Sequence, residues 1–197
     1  MSKAPGKVKN PNSFRIIAGK WRSRRLSFPE DVDSLRPTTD RVRETLFNWL
    51  QQKIIGARCL DLFAGSGALA FEAASRGAAL VTAIDASPKA TDAIRRNSRL
   101  LDSNQIAIHT ADALQWLDRH QTDKPFDVIF LDPPYNLQLL PDCIARLQKD
   151  GFTRPGTTIY VEADTSLEAL EKPAHWTLTR SKKAGQVRYG VYEVGIV

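Results

Sequence analysis

Five short apolar runs, separated by four stretches of helical spacing, constrain this chain more than any other feature. The runs fall at residues 58–63, 80–85, 105–110, 126–132 and 158–163. Their β-branched and aromatic content and strand length read as buried strands. Between them, residues 68–75, 88–101, 112–119 and 137–149 carry helical patterns, and Ser87-Pro88 supplies an N-cap followed by proline at the first helical position. Such alternation predicts an α/β fold, a mostly parallel, doubly wound, Rossmann-like sheet with right-handed crossovers. After Leu170 the pattern changes: residues 176–182 and 186–194, separated by Lys183-Ala184-Gly185, predict a final antiparallel hairpin.

Two elements precede the alternation. Residues 14–18 and 21–28 flank Gly19-Lys20, which predicts a β-hairpin with arginines alternating along its second arm, closed by Pro29. Residues 41–52 then place Val42, Leu46, Phe47, Trp49 and Leu50 at helical spacing, with Thr39 or Asp40 as cap and Gly56 as the stop. The expected organisation is a disordered basic arm (1–13), a hairpin extension (14–30) and one main domain (31–197).

Ligands of open α/β sheets bind beyond the carboxyl ends of the strands. At one such end stands Asp132-Pro133-Pro134-Tyr135. Two prolines lack amide donors and hold the preceding residues extended, leaving a carboxylate, a proline carbonyl and an aromatic ring at a stiff corner. At another, Asp61-Leu62-Phe63-Ala64-Gly65-Ser66-Gly67 joins the first strand of the alternation to a helix. Its glycines permit a tight turn and close approach of a ligand, and Asp85, 20 residues after Gly65, suits the two hydroxyls of a ribose. S-adenosylmethionine fits this set better than a nicotinamide dinucleotide. Asp61 suits a cationic amine and would repel a pyrophosphate, and the Asp132 corner offers acceptors for a planar amine, which hydride transfer does not need. Asp112, beside Ala113, serves either the adenine amino group or the helix as its N-cap. Arg36 and Thr38 either fold over the methionine end of the cofactor or are a surface arginine and a helix cap.

Charge points to the acceptor. Of 28 basic residues, eight lie in residues 1–28, where no acid occurs before Glu30, leaving 20 against 22 acids in the remainder. A net charge of +6 therefore belongs to one end, as on a surface that displaces counterions from a polyanion. Arg15, Lys20, Arg22, Arg24 and Arg25 are the residues expected to meet RNA. Trp21 either stacks on RNA or packs on the sheet, and Lys182, Lys183 and Arg188 on the last hairpin extend the basic surface or are simply solvated. The start of the chain lacks the apolar core of a signal peptide, and no run approaches the length of a membrane span. Cys59 and Cys143 lie far apart, and His109, His120 and His175 have no metal-like spacing. A cytoplasmic, metal-free protein with reduced cysteines is expected.

The turn 61–67, Asp85 and the tetrad 132–135 resemble motifs of class I methyltransferases acting on exocyclic amines. Leu35-Arg36-Pro37-Thr38-Thr39-Asp40-Arg41-Val42-Arg43-Glu44-Thr45-Leu46-Phe47-Asn48, Arg15-Ile16-Ile17-Ala18-Gly19-Lys20-Trp21-Arg22 and Ala184-Gly185-Gln186-Val187 are similar to segments of one bacterial family, the RsmD-like 16S ribosomal RNA guanine-N2 methyltransferases. The resemblance runs from about Arg15 onward. It implies a Rossmann-like sheet whose last strand is antiparallel, S-adenosylmethionine as donor, and as acceptor a guanine (by resemblance alone, guanine 966) of 16S rRNA in an assembling 30S subunit, handled by a monomer. Asp132 and the Pro133 carbonyl are then expected to accept the amine hydrogens, with Pro134 bracing the corner and Tyr135 stacking on the flipped base. Asp61, Phe63, Ala64, Gly65, Gly67, Asp85, Asp112, Ala113, Arg36 and Thr38 would hold the cofactor. Competing readings are a DNA or RNA amino-methyltransferase acting on adenine or cytosine, a nicotinamide-dependent oxidoreductase, and a non-catalytic RNA-binding factor.

Overall fold

The computed structural model describes residues 12–29, 38–122, 124–134, 139–148 and 151–196. An antiparallel pair, β1 (Asn12–Arg15) and β2 (Arg25–Phe28), precedes α1 (Asp40–Trp49). The alternation follows as β3 (Arg58–Asp61), α2 (Ala68–Ser75), β4 (Leu80–Asp85), α3 (Pro88–Leu100), β5 (Ile106–Thr110), α4 (Ala113–Arg119), β6 (Val128–Leu131), α5 (Leu140–Leu147) and β7 (Thr158–Ala163). It ends in the hairpin β8 (Trp176–Ala184) and β9 (Val187–Val194).

The main sheet has the order β5-β4-β3-β6-β7-β9-β8. β3 to β7 are parallel and β9 runs antiparallel to both β7 and β8. The expected doubly wound sheet with an antiparallel last strand is what forms. From β3 the chain steps outward through β4 to β5, then returns to place β6 on the other side of β3. That reversal opens a crevice at the carboxyl ends of β3 and β6.

Strand residues alternate between two faces, and each face builds its own core. Cys59, Val81, Val128, Phe130 and Tyr160 meet α1, α2 and the N-terminal hairpin. Leu60, Ile84, Ile129, Leu131 and Val161 meet α4 and α5. The same parity carries to the strand ends. Asp61 lies two residues after Cys59, Asp132 two after Phe130 and Glu162 two after Tyr160, so all three carboxylates fall on the first face. Each fully buried ring in that core, such as Phe47, Phe71 or Phe130, contributes roughly 1.5–3 kcal/mol.

The N-terminal hairpin differs from expectation. No two-residue turn forms at Gly19-Lys20; residues 16–24 make a long loop closed by Ile16 N–H to Arg24 O (2.9 Å) and Ser23 N–H to Ile16 O (2.9 Å). Besides these bonds of its own, the loop takes partners from α2. Glu72 accepts from the Ile17 and Ala18 amides at 2.8 and 3.1 Å, and the Lys20 amide donates to the Ser75 carbonyl at 2.8 Å. Gly19 is required there: its φ is +83°, and a Cβ would stand 1.9 Å from the Ser75 carbonyl oxygen. Arg22 and Arg24 therefore sit in a loop rather than alternating along a strand.

Smaller differences concern ends. α1 stops at Trp49, and Gly56 belongs to the following connection, donating to Gly77 O. Thr39 is the cap, accepting from the Val42 amide, while Asp40 pairs with Arg43 at 2.6 Å. The final hairpin turns at Gly185-Gln186, with φ +63° at Gly185. Cys59 and Cys143 are buried and free. Residues 1–11, most of the expected arm, lie outside the described residues. Among the described residues no helix is long and apolar enough to cross a membrane.

Candidate active site

The glycine turn is built by ties to both neighbouring strands. Leaving β3, Leu62 N–H donates to Phe130 O on β6, and Ala64 N–H donates to Ile84 O on β4 at 2.8 Å. Gly65, at φ +52°, donates its amide to Asp85 Oδ2 at 2.8 Å, while Asp85 Oδ1 accepts from Ser87 N–H at the same distance. The spacing of 20 residues between Gly65 and Asp85 thus has a structural meaning, because the acid anchors the turn. Gly67, at φ +82°, starts α2, and a Cβ there would meet the Phe71 ring at 2.9 Å and Ile94 at 3.1 Å.

Asp61 closes β3 with 1% exposure, and neither carboxylate oxygen has a hydrogen-bond partner. Burial pushes its pKa up to about 7; the amides of Phe63 and Ala70 oppose the rise without reaching hydrogen-bond geometry, and the charge on Asp85 adds to it. Asp85, half-buried, is also raised by burial and held back by its two amide donors.

On the next strand, Asp132 follows β6 and accepts from Thr38 Oγ1 at 3.3 Å. Burial of its carboxyl, then the charges of Glu162 and Asp61, hold it well above the usual carboxylate range, against the Thr38 hydrogen bond. Pro133 is buried and Pro134 half-buried. Tyr135 and Arg36 lie outside the described residues. Thr38 therefore stands at the Asp132 corner. Asp112 caps α4 through the Gln115 amide at 2.9 Å, with Ala113 buried behind it. Its segment is tied to the carboxyl end of β4 by Ala111 N–H to Asp85 O at 3.0 Å. Phe63 and Ala64 line the turn itself.

The basic residues are distributed differently from the acids. Arg15 and Arg25 face each other across β1 and β2, both exposed, and Arg15 reaches Asp40 at 3.6 Å. Lys20 Nζ donates to Gln105, which precedes β5, and lies 4.2 Å from the Trp21 ring. Half-buried Trp21 packs against the first core. The loop carrying Lys20, Arg22 and Arg24 thus reaches the amino-terminal edge of the sheet, opposite the Asp61–Asp132 edge.

Two acidic sites cannot be found from the sequence pattern alone. Glu72 is fully buried on α2 among two hairpin amides, Arg76 (2.7 Å) and Arg43 (3.7 Å). Glu162, 5% exposed on β7, accepts from the Tyr160 hydroxyl at 2.6 Å. The only sequence signal in each case is one charge inside an otherwise apolar run. Among the described residues no group of three or more His, Cys, Asp or Glu side chains is placed to hold a metal ion.

Comparison with known proteins agrees with this architecture. Residues 14–193 match a family described as "Conserved hypothetical protein 95". Ribosomal RNA small subunit methyltransferase D of Escherichia coli (strain K12) is 42% identical over 191 residues, covering 94% of this chain and 95% of the relative. The protein of the same description from Haemophilus influenzae is 40% identical over 192 residues, covering 95% and 98%. A solved structure described as a putative methyltransferase from E. coli superposes with TM-score 0.85 at 42% identity, covering 93% of this chain and 99% of its own.

Proposed function

Since the chain belongs to the ribosomal RNA small subunit methyltransferase D family, we propose that it methylates the exocyclic N2 amine of a guanine in 16S rRNA, by family guanine 966, using S-adenosylmethionine. The observation that carries this reading is the pair of carboxylates, buried Asp61 and half-buried Asp132, on one face at the carboxyl ends of adjacent strands.

The donor suits these residues. Asp61 presents two buried oxygens without hydrogen-bond partners, a strong incentive to receive a cation. The same acids disfavour a pyrophosphate. Asp85 has lone pairs left for ribose hydroxyls after accepting two amides. Gly65 and Gly67 let the turn take its left-handed backbone next to the donor, and Phe63, Ala64, Asp112 and Ala113 complete the wall, with Arg36 and Thr38 closing it from the preceding segment. When bound, S-adenosylmethionine supplies an electrophilic methyl group.

The chain's part is to make the amine a nucleophile. Guanine N2 is weakly basic because its lone pair is delocalised into the ring. Asp132 and the Pro133 carbonyl accept its two hydrogens and draw the nitrogen toward tetrahedral geometry. Thr38 holds Asp132 Oδ2 in place. As charge develops on nitrogen the Asp132 carboxylate stabilises it, and Asp132 takes the proton that the methylated amine releases. Pro133 and Pro134 keep the corner stiff, and Tyr135 stacks on the flipped base, worth roughly 1–3 kcal/mol. Arg15, Lys20, Arg22, Arg24 and Arg25 hold phosphates and orient the RNA without reading bases.

The test is methyl transfer from labelled donor to naked 16S rRNA, assembling 30S particles and duplex DNA. Label is expected on guanine N2 in one of the RNA substrates, and Asp132→Ala should lower kcat by about 10²–10³-fold. Label on DNA alone, or full activity of Asp132→Ala, contradicts the reading. Calorimetry should give binding of S-adenosylhomocysteine and none of NADH.

A further inference from the structure

Glu162 takes no part in the chemistry described so far, yet the fold delivers it to the same place. Leu131 pairs in register with Val161 at the end of β6, so Glu162 stands beside Asp132 one residue further on. Both lie on the face that carries Phe130 and Tyr160. Neighbouring strands are about 4.8 Å apart, which sets two carboxyl groups side by side at the sheet edge. Asp61, whose buried oxygens have no hydrogen-bond partners, lies on that face one strand away. Tyr160 lies within the core with its ring edge-on to Phe130, and its hydroxyl donates to Glu162 Oε1 at 2.6 Å. A carboxylate with about four lone-pair positions can accept this bond and more.

Guanine presents two adjacent donors on its Watson–Crick edge, N1–H and the N2 amine. Adenine presents its N6 amine beside N1, and cytosine its N4 amine beside N3; in both the ring nitrogen is an acceptor. Two neighbouring acceptors therefore match guanine, and a carboxylate set against a ring lone pair would leave two acceptors facing each other. Resting on the guanine reading above, we propose that Glu162, oriented by Tyr160, accepts the N1–H of the target guanine while Asp132 accepts from N2, and so selects guanine over other bases bearing an exocyclic amine.

The experiment uses the full chain and 16S rRNA, naked or in particles, assembled with either guanine or 2-aminopurine at the target position. 2-Aminopurine keeps the reacting amine but carries a lone pair at N1. The wild-type protein should prefer guanine by about 10–100-fold in kcat/KM, the range expected for losing a hydrogen bond to a charged group. Glu162→Gln, whose amide can donate to N1, should bring that ratio close to one or invert it. A merely structural role would lower both rates together and leave the ratio unchanged, which would overturn the proposal. Should Glu162→Gln fail to fold, Tyr160→Phe is expected to shrink the same ratio. Equal use of both bases by the wild-type protein would also overturn it. If the wild-type protein transfers no methyl group to guanine, the reading of its function fails, and this inference with it. Normal guanine methylation with an unchanged ratio in Glu162→Gln removes the inference alone.

Discussion

Asp61 shows how a single side chain can cost the fold stability and, in the proposed function, hold the donor. Burial without partners makes ionisation unfavourable, so its pKa stands near 7 rather than near 4. Between those values the folded protein holds a proton that the unfolded chain has released. Stability of the ligand-free protein should therefore fall as pH rises from about 4 to about 7, and Asp132, also raised, adds to the slope. Asp61→Asn should flatten that profile and stabilise the protein at pH 8 by a few kcal/mol in order of magnitude. The same change should weaken binding of S-adenosylhomocysteine, which loses the partner for its amine. Urea unfolding of both proteins at pH 5 and pH 8, with calorimetry alongside, checks this; parallel pH profiles would refute it. For activity the proposed mechanism reverses the sign, because Asp132 can take the proton of the methylated amine only when ionised. The value of kcat/KM should rise with pH through an apparent pKa above the ordinary carboxylate range.

At the scale of elements, the N-terminal hairpin depends on a buried ionic junction. Arg43 on α1 donates to the carbonyls of Thr38 (3.2 Å) and Arg15 (2.8 Å) and to Asp40 (2.6 Å), and lies 3.7 Å from Glu72. Glu72 in turn holds the Ile17 and Ala18 amides. Hairpin, α1, α2 and the segment that holds Asp132 through Thr38 thus meet at one pair of charges. Glu72→Ala removes the buried one of Arg43's two carboxylate partners, Asp40 remaining, and takes the acceptor from the Ile17 and Ala18 amides; it should cost about 3–5 kcal/mol and expose those amides to hydrogen exchange. A variant of wild-type stability with those amides still protected would show that packing alone seats the hairpin. This junction also marks where the sequence stops being legible. The alternation from residue 58 onward can be read because parallel strands announce themselves by local apolar runs, and Leu80–Asp85, Ala68–Ser75 and Thr158–Ala163 end where their patterns end. Gly65, Gly67 and Asp85 are legible for the same reason, since a tight turn demands particular residues at fixed spacing. The hairpin loop is not. Its shape is set by Glu72 and Ser75, more than 50 residues away, and turn rules for an isolated hairpin take no account of them. Glu162 is hidden likewise, because only the pairing of β6 with β7 sets it beside Asp132.

For the whole molecule, the distribution of charge over the two edges of the sheet decides how a large polyanion can lie on it. The loop bearing Arg22 and Arg24 reaches the amino-terminal edge, since Lys20 meets Gln105 before β5 and the Lys20 amide meets the C-terminal end of α2. Lys182 and Lys183 sit at the carboxyl-terminal edge instead: Tyr189 pairs with both Glu162 and Lys182, so Lys182 shares a register row with Glu162 two strands away, roughly 10 Å. Both lysines are exposed. On the proposed reading, RNA whose base enters at Asp132 comes close to these lysines, whereas the hairpin loop lies at the opposite edge of the sheet. The two sets of cations should then have separable effects. Replacing Arg22 and Arg24 by alanine should weaken RNA binding and flatten its salt dependence, by about 0.7–0.9 in log–log slope for each phosphate no longer neutralised, with little change of kcat at saturating RNA. Replacing Lys182 and Lys183 should flatten the slope similarly and also lower kcat, because phosphates next to the flipped nucleotide fix where its amine stands, and small displacements of a reacting atom are costly in rate. Binding titrations at several salt concentrations and single-turnover transfer rates separate the two. If the lysine variant keeps its rate and its slope while the arginine variant loses both, the RNA approaches over the hairpin and the carboxyl-edge lysines are solvated charge.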